Sequence, residues 1–444
     1  MHEGANVITI PPGPDARPPM PERVRVLFAD QLNIARGKYL PVSEARKGHT
    51  RLCVGAYAVT YDRSLVAAPG GALLEGLPDM EAVFDLEALR PGWEANTRIA
   101  LADLKFKGEP FALCGRSALK RAIAEWNALG YQPMAGIELE AYVFQRDATG
   151  AWVPYDTPGA CVYGTGPFCD PAGLMDTIWA HAAACNLPIE SMNAEFDSPQ
   201  FELTLKFADA LTAADDVFIF RQMAREVLFQ RGYLLSFLPK PIAGKSGSGL
   251  HVNLSLRDGA GTNVFARDGA ADLPAVMKGC VAGLLAHHEA MAGLLAPTVN
   301  SYERLKPASL SGYWANWSVD HRSVSVRVSA EDGAGARIEH RVADGAASPY
   351  VAIALALQAA RLGVVDGEPL PAPETADGLE TVGTLRHTPD TLAQALDALE
   401  TDTRLTEAFG RSLVDNYVAI KRAEVAALDG KSPREVFDYY APFI

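Results

Sequence analysis

The stretch GIELEAYVF, residues 136–144, sets two glutamates, Glu138 and Glu140, into an otherwise apolar run. Side chains alternate faces along a strand, so these carboxylates share one face, opposite Ile137, Leu139 and Ala141. Taken alone, such a face is an ordinary solvated one. Further carboxylates on similar runs change that reading. Glu195 and Glu202 surround a proline turn in EFDSPQFELTL, Glu190 lies just upstream, and Glu339 stands in GARIEHRV between Arg337 and Arg341. One histidine, His251, follows a glycine-rich loop in SGSGLHVNLSL and opens a strand. Burying so many like charges without compensation costs several kcal/mol per ion, and divalent cations remove that cost. Hard Mg²⁺ or Mn²⁺ prefers oxygen ligands, tolerates one imidazole and keeps positions open for substrate phosphate.

Arginines accumulate beside these acids: Arg304 in NSYERL, Arg322 and Arg327 in DHRSVSVRV, then Arg337 and Arg341. Guanidinium forks suit carboxylates and phosphoryl oxygens. Metal ions combined with arginines around a transferring phosphoryl group are the general recipe for phosphoryl transfer. The chain has no G-x-x-x-x-G-K-[ST] loop and no kinase glycine-rich set, so any ATP is held by another fold.

The elements that position these residues read as α+β. From Arg23 to about Lys107, strand-like runs (VRVLFAD, KYLPV, RLCVGAYAV, RIALADLKF) alternate with Gly, Pro and charged turns, as in a small sheet domain. A helix at SALKRAIAEWNALG follows, with Ser117 as expected N-cap and Gly130 as stop. Residues 131–345 mix separated strands with helices and lack a repeated βα rhythm, which disfavours a doubly wound sheet. The tail beyond 385 is expected to be helical, with Pro at the first helical position after Thr388 and after Ser432. At 444 residues the chain exceeds the usual single core, and 48% hydrophobic residues suffice for packed interiors. The domains expected are a disordered, proline-rich tail at 1–22, a sheet domain at 23–107 and a larger one at 112–444. A net charge of −14 argues against nucleic-acid and anionic-membrane partners. The six cysteines lack disulfide or zinc spacing and read as free thiols of a cytoplasmic enzyme.

At this point the residues resemble the glutamine synthetases and their γ-glutamylamide-forming relatives, from about residue 23 to the C-terminus. GIELEAYVF resembles the family's E-x-E strand, EFDSPQFE its E-x6-E element, and GKSGSGLHVNLS its substrate loop and metal histidine. NSYERLKP, DHRSVSVRV and RIEHRVADGAASPY resemble its three arginine segments, in the same order. The resemblance implies a β-grasp domain followed by a catalytic α+β domain. It also implies active sites between neighbouring subunits of a ring, usually a double-ring dodecamer. Carried over, Glu138, His251 and Glu339 resemble the ligands of one Mg²⁺ or Mn²⁺, and Glu140, Glu195 and Glu202 those of the other. Arg322, Arg327 and Arg337 fall at ATP contacts, as do Glu190, Phe207 and Ser255. Arg304 and Arg341 fall at the glutamate and its phosphorylated γ-carboxyl, with Gly247 in the glutamate loop.

The activity so implied is two-step. The γ-carboxylate of glutamate attacks ATP, and an amine nitrogen then displaces phosphate. The sequence departs from ammonia-using members at RLKPASLSGYWANW, where Leu310 stands at the position of a glutamate that shields the intermediate and takes the ammonium proton. Tyr313, Trp314 and Trp317 surround it, and Leu310, Tyr313 and Trp314 are the expected amine pocket. Asp30 remains the candidate base, from the adjacent subunit. An alkylamine needs one, having a pKa like that of lysine at about 10, whereas an aromatic amine does not. Asn253 replaces a histidine common in the family, and Ser246 an asparagine. The function expected is ATP-dependent ligation of glutamate to an organic amine. The alternatives are an ammonia-using glutamine synthetase and a non-catalytic member of the fold.

Overall fold

The computed structural model describes residues 22–267, 269 and 272–444; the tail expected at 1–22 lies outside them except for Glu22. The N-terminal strands form two four-stranded sheets. In the first, Arg23–Ala29 pairs antiparallel with Ala35–Pro41 and parallel with Thr97–Leu101. In the second, Asp79–Val83 lies between His49–Cys53 and Asp103–Phe106. Alternation places Val24, Val26 and Phe28 in a small core with Tyr57, Ala82 and Leu104, while Leu27 and Ile99 join the main core on the other side. The run RLCVGAYAV is only half strand, because it continues as a 3₁₀ helix over Val54–Ala58.

The centre of the molecule is a nine-stranded sheet built on one long strand, Gln132–Arg146. Gln200–Asp209 pairs with it on one side and Leu250–Arg257 on the other, both antiparallel. Beyond Leu250–Arg257 come Ile338–His340, Val326–Val328 and Trp317–Val319. Ile137, Leu139 and Ala141 are buried on the face that receives the helices Gly115–Ala128 and Ala210–Gln230. The opposite face carries the glutamates.

The helix expected from Ser117 begins earlier, at Gly115 with Cys114 as cap, so Ser117 lies inside its first turn. Gly130 follows its end with φ +87°, a conformation that favours glycine. In the tail, Ser432 caps Pro433–Tyr440 with a capping box to Glu435, as the sequence suggests. The first helix of the tail starts at Leu392 with Thr391 as cap, and not after Thr388, whose backbone N–H instead bonds the Tyr313 carbonyl. The apolar helix Pro349–Asp366 is long enough to cross a membrane but is 78% buried in the core. It crosses Ala275–Ala286 at glycines: a Cβ on Gly283 would collide with the Ala359 carbonyl. All six cysteines are free.

His288 and His340 are wholly buried, and desolvation of the imidazolium holds His288 down to about 4 and His340 to about 3. A folded pKa below the unfolded value of about 6.5 contributes stability above that value, lost as pH falls toward the folded value. Thermal unfolding should therefore show a loss between about pH 6.5 and 4. His288→Gln should recover part of it, up to about 3 kcal/mol at the acid end.

Candidate active site

The sheet register assembles the acidic face. Glu202 pairs directly with Glu140 across two strands, and Glu138 pairs directly with His251 across the next two. Asn253, Glu339 and Arg327 then form a continuous cross-strand row. Glu195 reaches the same area from the turn between Ile189–Ala194 and Gln200–Asp209. Two groups result, Glu138 with His251 and Glu339, and Glu140 with Glu195 and Glu202, each with its ligand atoms within 4.8 Å of one another. The oxygen-rich donor sets, with one imidazole, fit Mg²⁺ or Mn²⁺.

The two groups differ electrostatically. In the first, His251 Nδ1 lies 3.4 Å from Glu138 and 3.5 Å from Glu339, and Arg327 Nη1 lies 2.9 Å from Glu339, which Arg341 also contacts. Burial pushes Glu138 upward, but the His251 hydrogen bond and charge outweigh it and hold the carboxyl at about 2. The Glu339 carboxyl is likewise lowered, Arg341 prevailing over burial. The second group has no guanidinium or ammonium within ion-pair reach among the described residues. Burial, then the charges of Glu138 and Glu195, pushes Glu202 up to about 8, and burial with Glu140 raises Glu195. A cation has most to offer here.

Glu138 and Glu202 also border a cleft of about 590 Å³. Glu190, Phe207, Ser255, Arg322, Arg327 and Arg337, scattered along the sequence, all line it. Phe207 is 56% exposed, an apolar ring left facing solvent. The glycine-rich loop closes the other side of the carboxylates. A Cβ on Gly247 would lie 2.5 Å from Arg304 Cγ, and one on Gly249 would lie 2.7 Å from His251 Nε2, so only glycine lets the loop approach. Arg304 is buried and donates to the Val342 and Arg341 carbonyls, while Arg341 Nη2 donates to the Leu310 carbonyl at 3.3 Å.

Three expectations are corrected. The Asp30 side chain is fully buried: Oδ1 accepts from the Leu32 and Ile34 amides and Oδ2 contacts Arg36 at 2.5 Å. A carboxylate so committed holds a turn, and its burial keeps an amine from reaching it. Tyr313 and Trp314 turn toward residues 386–390. Tyr313 stacks on His387 at 4.8 Å and donates to Asp390, and Trp314 packs edge-on against both rings. They form a packed wall and not an open amine pocket; Leu310, 53% exposed, is the member left open.

Other contributors were not singled out from sequence. Gln200 Nε2 donates to the Gly247 carbonyl at 2.9 Å and reaches Glu140 at 3.4 Å. Asp197 accepts from the amide and hydroxyl of Ser246. The period-2 rule offered a signal for Gln200, which shares a face with Glu202. None pointed to Asp197.

Residues 112–440 match the family described as glutamine synthetase, catalytic domain. The chain belongs to the glutamine synthetase family. It is therefore an ATP-dependent carbon–nitrogen ligase, and its strand-rich N-terminal region is consistent with a β-grasp-like domain. A glutamine synthetase from Methanococcus maripaludis is 31% identical over 377 residues, 80% of this chain and 83% of the relative. A glutamate–isopropylamine ligase from Pseudomonas sp is 32% identical over 299 residues, 65% of each chain. Among solved structures, one described as apo GmaS without ligand has a TM-score of 0.80 at 26% identity, covering 94% of this chain and 96% of that one. A crystal structure of a novel glutamine synthase homolog has a TM-score of 0.83 at 25% identity, covering 97% and 100%. The family normally uses ATP, glutamate and divalent metal.

If the two groups each hold a cation, Glu138→Ala and Glu140→Ala should both lower ATP turnover by roughly a hundredfold or more. A cation must also displace the proton that Glu202 keeps at pKa about 8. Mn²⁺ affinity measured by calorimetry should therefore rise between about pH 6.5 and 8.5, with proton release, and Glu202→Gln should flatten that rise.

Proposed function

We propose that this ligase joins the γ-carboxyl of glutamate to an organic amine through a γ-glutamyl phosphate, giving a γ-glutamylamide. The observation that carries the reading is Leu310. Its exposed apolar side chain stands on the loop tied by its carbonyl to Arg341, where ammonia-using relatives are expected to place a carboxylate. An apolar group there offers an ammonium ion nothing and lies comfortably against an alkyl or aryl substituent. The similarity to a glutamate–isopropylamine ligase and to GmaS structures supports the same direction. A second reading, ammonia-using glutamine synthetase, is favoured by the name that most of the relatives found carry.

In the proposed reaction Arg304 and Arg341 orient glutamate beside the glycine-rich loop, and Gly247 and Gly249 keep that loop close enough for its backbone to meet the substrate. Arg322, Arg327 and Arg337 hold the triphosphate oxygens in the cleft, with Phe207 beside the base. Bound at the two carboxylate groups, Mg²⁺ or Mn²⁺ supplies charge neutralisation on the transferring phosphoryl group. The buried arginines Arg304 and Arg341 do the same for the acyl phosphate. Leu310 cannot act as a base and Asp30 is engaged by Leu32, Ile34 and Arg36, so the amine enters already neutral. That condition favours weakly basic amines, or alkaline pH for alkylamines.

The test is phosphate release from ATP and glutamate with a panel of ammonia, methylamine, isopropylamine, ethanolamine, a polyamine and an aromatic amine. An organic amine should have the highest kcat/KM; ammonia in that place overturns the proposal. Leu310→Glu should shift the ratio of ammonia to organic amine toward ammonia by about tenfold, the worth of one charge-assisted contact.

A further inference from the structure

Asn253 lies at the join between the carboxylate groups and the cleft. It stands on Leu250–Arg257, with Gly136 opposite on one neighbouring strand and Glu339 opposite on the other. Because Gly136 has no side chain, the position beside Asn253 stays open: a Cβ there would already be 3.8 Å from Asn253 Cβ and 3.2 Å from Phe207 Cβ. The amide uses both ends. Nδ2 donates to Glu138 Oε1 at 3.0 Å, and Oδ1 accepts from Arg337 Nε at 3.2 Å. This orientation is dictated by its neighbours, since a carboxylate can only accept and a guanidinium can only donate.

Arg327 already ties Glu339 to the cleft by an ion pair, but among the described residues the Asn253 amide is what ties Glu138 to Arg337. Glu138 belongs to the group with His251 and Glu339, whereas Arg337 lines the cleft, where its other contacts are the Gly335 carbonyl and Glu331. A carboxylate drawn toward a cation and a guanidinium drawn toward a phosphate both pull on one short, neutral, non-titrating linker. Ordering either end leaves less to order at the other, which is the thermodynamic form of positive coupling.

We propose that Asn253 is a positioning residue that couples cation loading at Glu138 to nucleotide binding at Arg337. The inference rests on the reading of the cleft as the nucleotide site and of Glu138 as a cation ligand. A side chain of similar size with neither donor nor acceptor breaks both bonds at once.

The experiment measures Mn²⁺ and ADP binding by calorimetry, each alone and each in the presence of the other, together with KM for glutamate. It uses the full chain as wild type, Asn253→Leu, Asn253→Ala, Arg337→Ala and the Asn253→Leu/Arg337→Ala double variant. In wild type, Mn²⁺ should tighten ADP binding and ADP should tighten Mn²⁺ binding by the same factor. In both Asn253 variants that mutual gain should shrink by about tenfold, leaving the part carried by Arg327 and by direct cation–phosphate attraction. KM for glutamate should stay within about twofold of wild type, because the bridge does not reach Arg304 or Arg341. On the Arg337→Ala background, Asn253→Leu should weaken ADP binding no further. Mutual tightening that persists undiminished in both Asn253 variants overturns the proposal, as does a double variant whose losses on ADP binding simply add. A wild type that binds neither Mn²⁺ nor ADP overturns the functional reading beneath it, a different result from wild-type binding matched by the variants.

Discussion

Repulsion among Glu140, Glu195 and Glu202 is the constraint around which the sheet is organised. Two of the three face each other across adjacent strands, an arrangement that destabilises any sheet in which the charges stay uncompensated. The fold keeps it because the backbone has no freedom to relieve it. Glu140 donates its amide to the Gly249 carbonyl and receives the Gly249 amide on its carboxylate at 2.7 Å, so strand and loop hold each other in place. Gln200 fastens the same loop from the far side. Slipping the register by one residue would relieve the charges, but it would also drive Leu139 and Leu203, both fully buried, out to solvent. Burial of the apolar face thus sets the position of the acidic one.

The scaffold around the sheet serves the same end. Ala210–Gln230 and Gly115–Ala128 press on the apolar face of the long strand, and Pro349–Asp366 locks those helices together through close crossings. The N-terminal sheets are tied on by Arg25, whose guanidinium makes a two-pronged pair with Glu226 at 2.7 Å, and by Asn416, which bonds the Tyr57 and Pro69 carbonyls. Side chains held in this way lose little entropy when a charged ligand arrives, a form of preorganisation that electrostatic catalysis requires.

How much of this the sequence disclosed depends on the kind of relation involved. That Glu138 and Glu140 share a face follows from a period of two, and the helix caps at Thr391 and Ser432 follow from local chemistry, though only Ser432 was placed correctly. Cross-strand partners such as Glu202 with Glu140 depend on a register fixed by the whole core, so the motifs were visible while their pairing came only through resemblance. Asp30 misled because a turn carboxylate and a catalytic one are the same residue type; only its hydrogen bonds to Leu32, Ile34 and Arg36 distinguish them. Tyr313 and Trp314 misled for a related reason. Aromatics near a reactive segment suggest a pocket, but their ring planes are set by His387 and Asp390, more than seventy positions away. Gln200 and Asp197 are polar groups that act on backbone atoms of a distant loop, a role without local signature.

The cleft arginines show how such a site can be charged without being closed to its ligand. Arg327 is held between Glu339 and Asp320, at 2.9 and 2.6 Å, and cannot leave without exposing a buried carboxylate. Arg337 is held more loosely, by an amide, a carbonyl and the solvent-exposed Glu331 at 3.1 Å. Arg322 makes no hydrogen bond or ion pair among the described residues. The three are graded from structural to available. Under the proposed function, a polyanion in the cleft breaks no contact in pairing with Arg322 and competes only with the exposed Glu331 for Arg337, a pair with little to lose. It need not dislodge Arg327, whose guanidinium can keep Glu339 in place while adding its positive field to the cleft. Binding and the integrity of the carboxylate group are therefore compatible, because the arginine that supports the acids differs from those that yield to the ligand.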